Sequence, residues 1–397
     1  MSQIRNSRAA YLSFFQRPTA AYILIVTSTA ILTALGLVMG LSSSSVKAYE
    51  TTGSTYSIFY KQLIFIVIGG GAIYLAVHLK QMLWEKMARF ALVLGGIALI
   101  LPRAPLIGRD INGNQAWIGI GSFTLQPSEF AKLLLVLWCA MMLRRYHERE
   151  SEKSQFDHLK ILAPGAILFV GLIMVGKDLG SAIIVMGIVF AMLFISGLEG
   201  IYLAGATLFG FGGLSYFIFT SPNRLARFSA VLHPFAPGVY KSAGWQTAHS
   251  IMGLASGGFF GVGLGASRQK WANLSEANTD FIFSVIGEEL GLLGTLIVLI
   301  LYAALIYGIF RTALHTKDLM HRYVCAGIGA WLMLQVLVNV GSDIGLLPVV
   351  GVTLPFVSYG GSSLLANFIA VGFVLSVIRR DPEVRAALRS KLQREAE

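Results

Sequence analysis

One acidic residue stands where a polar, glycine-rich stretch becomes a long apolar run: Asp280, in Glu276-Ala277-Asn278-Thr279-Asp280-Phe281-Ile282-Phe283. A carboxylate at a membrane boundary costs free energy unless something solvates or uses it, which makes it a candidate functional group. The chemistry open to a carboxylate is proton transfer or the binding of polar groups. The structural alternative is an N-cap or first-turn carboxylate that stabilises the helix dipole. If Asp280 opens the helix, Ser284, Gly287 and Glu288 share its face. Glu288 then lies about 12 Å deeper at helical rise, so only Asp280 stays near the interface. Glu288 and Glu289 read as buried carboxylates paired with a Lys, an Arg or backbone N–H groups.

The cations on the same side are Arg109, Lys132, Lys177, Lys241, Arg268 and Lys270. Lys132 follows Glu129 by three residues, so the two share a helix face, and a local ion pair would let both enter the membrane. Lys177-Asp178 occupies a tight turn where a pair of little energetic worth is expected. Arg224, Arg227, His233 and His249 read as solvated loop residues or contacts to lipid headgroups. No His/Cys/Asp cluster has metal-ligand spacing, and no serine sits on a nucleophile elbow. Cys139 and Cys325 are packing residues within helices.

The elements that must position these groups are membrane spans. The 397 residues are 55% hydrophobic and 13% charged. Ten apolar runs, near 20–41, 58–79, 88–102, 129–143, 160–176, 180–196, 200–220, 281–310, 321–340 and 363–378, approach the ~17–25 residues of a spanning helix. They do not alternate, which argues against a β-barrel. The expectation is an all-α polytopic membrane protein with both termini cytoplasmic. It divides into a cytoplasmic arm at 1–19, a membrane domain at 20–378 and a cytoplasmic tail at 379–397 that carries a short surface helix. With that orientation the inside segments hold 20 of the 31 Lys and Arg, the positive-inside bias. The net charge of +11 is then mostly topology, not a nucleic-acid signal. The first apolar run is too long, and begins too late, for a cleaved signal peptide.

Four outside regions follow. The Ser/Thr-rich loop 42–57 reads as linker, and the charged inside loop 144–160 as a solvated connector. The loop 103–128 carries Arg109, Asp110, Asn112 and Trp117. The loop 221–280, between helices seven and eight, is far longer than a connection needs, which argues for function. The segment 341–363 is rich in Gly, Pro and Ser, and irregular backbone there survives only if buried or lining a wet cavity. Within the long loop Gly253, Gly257, Gly261 and Gly265 recur every four residues, a smooth stripe if helical. Gly261-Val262-Gly263-Leu264-Gly265-Ala266 has the form of a dinucleotide fingerprint but lacks a βαβ context. Close packing or a re-entrant turn is the expectation.

Five ordered blocks then carry a resemblance: Gln126-Pro127-Ser128-Glu129-Phe130-Ala131-Lys132; Asp178-Leu179-Gly180-Ser181-Ala182; the glycine run 256–265; Thr279-Asp280-Phe281-Ile282-Phe283 with Gly287-Glu288-Glu289; and Gly345-Leu346-Leu347-Pro348 with 354–367. Nearly the whole chain resembles the SEDS family of bacterial membrane proteins (shape, elongation, division and sporulation), its division branch ahead of its elongation branch. The resemblance implies ten helices and a peptidoglycan glycosyltransferase that polymerises lipid II at the outer face of the cytoplasmic membrane, at the septum. It implies a class B penicillin-binding protein as transpeptidase partner, besides other divisome proteins and membrane lipids. The family's essential aspartate falls on Asp280 and its loop tryptophan on Trp117. The chain departs from the family at Gln115-Ala116, where an arginine is common, at Lys177 in place of a proline, and at Ser275 and Asn278.

The reaction so implied joins two lipid-linked disaccharides. An acceptor hydroxyl attacks the donor's anomeric carbon, Asp280 takes its proton, and a polyprenyl pyrophosphate leaves. The leaving group needs cations, for which Lys132, Lys270 and Arg109 are the candidates. Glu129, Trp117, Asp178, Ser358, Gly360, Gly361 and Ser362 are the remaining expected substrate-binding positions. A divalent cation (Mg2+ or Mn2+) is compatible with this chemistry, but no motif requires it. Three alternatives stay open: a lipid II flippase, for which buried charges are also apt, an elongation polymerase, and a scaffold for division proteins.

Overall fold

A computed structural model describes residues 17–111, 113–121, 123–149, 154–271 and 273–396. Most of the arm expected at 1–19, together with Asn112 and the acidic and basic residues 150–153, lies outside the described residues. The chain is helical: α1 (Ala20–Thr52), α2 (Ser57–His78), α3 (Gln81–Ile100), α4 (Pro127–His147), α5 (Gln155–Val175), α6 (Leu179–Ile195) and α7 (Gly200–Phe219). Then come α8 (Pro222–Leu232), α9 (Pro237–Tyr240), α10 (Trp245–Gly257), α11 (Ile282–His315), α12 (Leu319–Asp343), α13 (Gly361–Ile378) and α14 (Pro382–Ala396). Each of the ten apolar runs falls on one long helix. Seven of these are long and apolar enough to cross a membrane. The apolar helix α6 is shorter. Helices α3 and α4 carry charges, among them Glu85, Lys86 and Arg89, and Glu129 and Lys132. The protein is a multi-pass membrane protein. Its core centres on α12 and α13, with Trp331 and Phe373 among the largest enclosed side chains, whereas α7 buries only Ile218.

Three segments differ from the sequence expectation. The loop at 103–128 contains an antiparallel sheet: β1 (Gly108–Ile111), β2 (Asn114–Ile120) and β3 (Phe123–Leu125). Its turns use Gly113 and Gly121 in the left-handed region, the conformation glycine adopts without a Cβ penalty. The expected linker 42–57 is mostly the last turns of α1, stopped by Gly53 at φ 73°. The helix continues because Ser42 and Lys47 have partners across the fold, Glu289 and Glu276.

The glycine stripe is only half a helix. Helix α10 ends at Gly257, and Gly258, Gly261, Gly263 and Gly265 all take positive φ. This turn inserts into a break in α11 at Gly291 (φ 69°, ψ −166°). Val262 N–H donates to Glu288 O at 2.9 Å and Gly263 N–H to Glu289 O at 3.1 Å. In return Leu292 N–H donates to Gly258 O at 2.9 Å. The inserted turn thus satisfies backbone groups that the broken helix leaves orphaned. A Cβ at Gly257 or Gly261 would collide with the carbonyls of Gly287 and Glu289, so these two positions need glycine.

Candidate functional site

Asp280 ends a tight turn. Glu276 is left-handed (φ 58°), and its carbonyl accepts from the N–H groups of Thr279, Asp280 and Phe281 at 3.1, 3.1 and 3.3 Å. The residue that caps α11 is Phe281, with no side-chain cap. The first-turn N–H of Ser284 is shared instead between Asp343 at the end of α12, Oδ2 at 3.1 Å, and Phe281 O, also at 3.1 Å. The N-cap alternative for Asp280 therefore fails: another carboxylate does that work. Among the described residues the Asp280 carboxylate accepts no hydrogen bond and forms no ion pair.

The backbone around it is fixed from three sides. Asn339 on α12 donates one amide to Asp280 O at 2.7 Å and to Val352 O at 2.8 Å. Ser358 Oγ donates to Thr279 O at 2.5 Å and accepts from Leu354 N–H at 2.8 Å. Tyr359 N–H donates to Asn278 O at 2.9 Å. The Gly/Pro/Ser-rich segment before α13 is thus a clamp on residues 278–280. The carboxylate faces Gly351, where a Cβ would stand 3.6 Å from Oδ2.

A second group of expected residues converges beside it. Asp178 caps α6, accepting from Ser181 N–H at 3.0 Å. It also receives Gln126 Nε2 at 2.7 Å and Ser128 Oγ at 3.3 Å from the start of α4. Gln126 N–H donates to Ser362 Oγ at 2.7 Å, tying α4 to α13. Gly180 on α6 abuts the carbonyls of Val350 and Gly351, the same loop that faces Asp280. Asp178, Ser358 and Ser362 are therefore brought to one end of the bundle with Asp280. There the hydroxyls of Ser358 and Ser362 hold loops together. Gly361 leaves room for the Phe65 ring, while Gly360 is the N-cap position of α13.

The expected cations are distributed differently. Lys132 pairs with Glu129 at 2.8 Å and lies over the Trp331 ring at 5.3 Å, almost wholly buried. Lys270 lies 3.9 Å from Glu289 and donates to Gly265 O. Arg109 on β1 is exposed and stands across the strand pair from the half-buried Trp117 on β2. Glu288 and Glu289 are structural, as expected. Glu288 accepts from Ser267 Oγ at 2.5 Å and Arg268 N–H at 3.0 Å, and Glu289 accepts from Ser42 Oγ at 2.6 Å. Together they hold the inserted glycine turn.

Burial is the largest cause that pushes the Asp280 carboxyl up from the ordinary carboxylate range to about 7, and the neighbouring Glu276 adds to it. Arg227 on α8 opposes the rise, Asp178 supports it, and Lys47 opposes it. The cations whose field reaches Asp280 are thus Arg227, which in the sequence alone reads as a solvated loop residue or headgroup contact, and Lys47, which lies unremarked in the expected linker. Arg227 sits on a short helix in the long loop, and only the folding of that loop over the bundle end brings it near. Asn339 was also missed, though a polar residue in an apolar helix was an available signal; Gln126 heads the first of the five blocks, but its bond to Asp178 was not expected. No group of three His, Cys, Asp or Glu gathers to hold a metal among the described residues.

The site's family emerges from comparison with known proteins. A family model described as cell cycle protein (FtsW/RodA/SpoVE) matches residues 22–382. Stage V sporulation protein E of Bacillus subtilis is 34% identical over 364 residues, covering 91% of this chain and 98% of its own. The probable peptidoglycan glycosyltransferase FtsW of Coxiella burnetii is 37% identical, covering 89% and 95%. Among solved structures, a chain studied for the structural coordination of polymerization and crosslinking by a peptidoglycan synthase complex superposes with TM-score 0.70. It is 30% identical and covers 89% of this chain and 96% of its own.

Proposed function

Because the chain belongs to the FtsW/RodA/SpoVE family of cell cycle proteins, the SEDS proteins, we infer that it is a peptidoglycan glycosyltransferase of septal wall synthesis. Its substrate in this reading is lipid II, polymerised at the outer face of the cytoplasmic membrane. Its partner is a class B penicillin-binding protein that crosslinks the product, with other divisome proteins around them. Relatives named as glycosyltransferases and the likeness to a peptidoglycan synthase complex support that reading. The observation that carries the mechanism is the unpartnered Asp280 carboxylate, in a site where the other buried carboxylates are hydrogen-bonded or paired.

An acceptor hydroxyl placed against Gly351 gives its proton to Asp280 as its oxygen bonds to the donor's anomeric carbon. The bond from that carbon to the pyrophosphate oxygen breaks, and the pyrophosphate leaves on its lipid. A base poised near the working pH is the efficient choice and contributes about 10²–10⁴-fold. No second acid is needed, because pyrophosphate leaves unprotonated. Attack opposite the leaving group inverts the anomeric centre. Arg227, Lys47 and Arg109 are the exposed cations assigned to the pyrophosphate, Lys47 from a surface pair with Glu276, whereas Lys132 and Lys270 act from within buried ion pairs. Mg2+ or Mn2+ would enter this reading as a companion of the substrate's own phosphates; among the described residues no group of three His, Cys, Asp or Glu gathers to hold it.

The test is polymerisation of lipid II by the purified protein with its transpeptidase partner. Wild type makes glycan strands and Asp280→Ala makes none. Strands made by Asp280→Ala at the wild-type rate overturn the base. Lipid II crossing vesicles with no glycan formed points to a transporter. Normal division in cells carrying Asp280→Ala points to a scaffold.

A further inference from the structure

At the end of the bundle opposite the β1–β3 sheet, a groove of about 630 Å³ runs between α1, α2 and α13. Its walls are apolar, and its floor is made by small residues: Ala30, Ala34 and Gly70, where a Cβ would meet nothing within 4 Å. From Tyr22 to Leu37 it extends about 22 Å along α1, more than the ~15 Å of one leaflet of a ~30 Å hydrocarbon core. Its volume lies in the range that encloses a small organic ligand, roughly 300–1,000 Å³.

Two features distinguish this groove from a bare lipid-facing surface. Its mouth is basic: His78 and Arg379 line it, and Lys80 stands two residues beyond His78. Its wall also carries an orphan donor. Thr29 lines the groove, is 5% exposed, and its hydroxyl has no hydrogen-bond partner. On the same helix Thr27 Oγ1 donates to Ile23 O at 2.7 Å and Thr33 Oγ1 to Thr29 O at 2.7 Å, the usual way a helical threonine is satisfied. A buried hydroxyl left unpaired is costly, so a group that enters the groove and accepts from it is stabilised there.

We propose that this groove is a binding site for one glycerophospholipid with an anionic headgroup: the phosphate against Arg379 and His78, an ester carbonyl accepting from Thr29, and one acyl chain along Ala30, Ala34 and Gly70. The charge of the mouth selects the headgroup, because a basic side chain at the membrane surface favours anionic lipid. The site is remote from Asp280 and independent of the glycosyltransferase reading.

The experiment uses the full chain extracted into nanodiscs of equal phosphatidylglycerol and phosphatidylethanolamine, with retained lipid counted by native mass spectrometry. Wild type retains one phosphatidylglycerol. Ala34→Trp, which fills the groove, loses it. Arg379→Glu lowers the preference for phosphatidylglycerol over phosphatidylethanolamine by roughly fivefold or more. Thr29→Val weakens retention without changing headgroup preference. A photoreactive phosphatidylglycerol crosslinks to α1 or α2 in wild type and serves as the second readout if a variant folds poorly. No retained lipid and no crosslink in wild type overturns the proposal. So does retention that Ala34→Trp leaves intact, or an Ala30→Cys variant that, in cell membranes, crosslinks to a partner protein's helix in place of lipid.

Discussion

If Asp280 is the base, its ionisation must govern the rate. With the carboxyl pushed to about 7, its ionised fraction is about 0.09 at pH 6 and about 0.91 at pH 8, a tenfold rise. The initial rate of lipid II polymerisation, measured with the partner present from pH 5.5 to 8.5, should climb through an inflection near 7. The causes of the shift supply two signed controls. Glu276 raises the value, so Glu276→Gln moves the inflection to lower pH; Arg227 lowers it, so Arg227→Gln moves it higher. Stability runs the other way. The folded value lies above the unfolded 3.8, so the fold favours the protonated acid. That contribution is complete below about 4 and is lost as pH rises through about 7. Asp280→Asn should therefore be inactive yet more heat-stable than wild type at pH 8, by on the order of 4 kcal/mol as a ceiling, since part of the carboxyl meets solvent. At pH 4 the two should melt alike. A rate that is flat from pH 5.5 to 8.5, or controls that shift the inflection in the wrong directions, refutes the reasoning.

Asn339→Ala removes the donor to both Asp280 O and Val352 O, costing about 1–3 kcal/mol, and should lower kcat more than lipid II binding; unchanged turnover would show that the clamp does not position the base. Gly257→Ala drives a methyl into the Gly287 carbonyl and should cost roughly 1–3 kcal/mol in thermal unfolding, whereas Gly70→Ala, facing open space, should cost little. Lys132→Met strands the buried Glu129 and should cost about 3–5 kcal/mol, most of it recovered in Glu129→Gln/Lys132→Met. Activity that stays lost in the stable double variant would show that the Glu129–Lys132 pair also acts on substrate.

Much of this was legible in the chain because the membrane imposes length and polarity on each span. The ten apolar runs found their helices, and the blocks around Gln126, Asp178, Asp280 and Ser358 came together at one end. The misses share a cause: they depend on partners far away in sequence. Nothing local says that Ser42–Thr52 stays helical; that depends on Glu289 and Glu276, more than two hundred residues on. The β1–β3 sheet escaped because its strands are short and irregular, without the alternation that marks a half-buried strand. Arg227 looked solvated because no spacing rule relates α8 to Asp280. Glu288 and Glu289 were read correctly as structural, since carboxylates well inside an apolar run must be paired.

The free state of Asp280 is itself a product of the fold. A carboxylate at the start of a helix has ready partners: the orphan N–H groups of the first turn. Had Asp280 taken them, its acidity would have been that of a capped, ionised group, too weak a base at neutral pH. Two residues of α12 prevent this. Asp343 reaches across to the N–H of Ser284, and Asn339 holds the Asp280 carbonyl, fixing the backbone one residue short of the cap position. The left-handed Glu276 and the Ser358 clamp hold the other side. Asp343→Ala should therefore act at a distance, by removing one of the two acceptors of the Ser284 N–H and letting the Asp280 side chain compete with Phe281 O for it. If it relocates there, the inflection in the rate profile falls well below 7 while the site stays assembled. An inflection that stays at 7 in a folded Asp343→Ala variant would mean that the turn alone holds the base free.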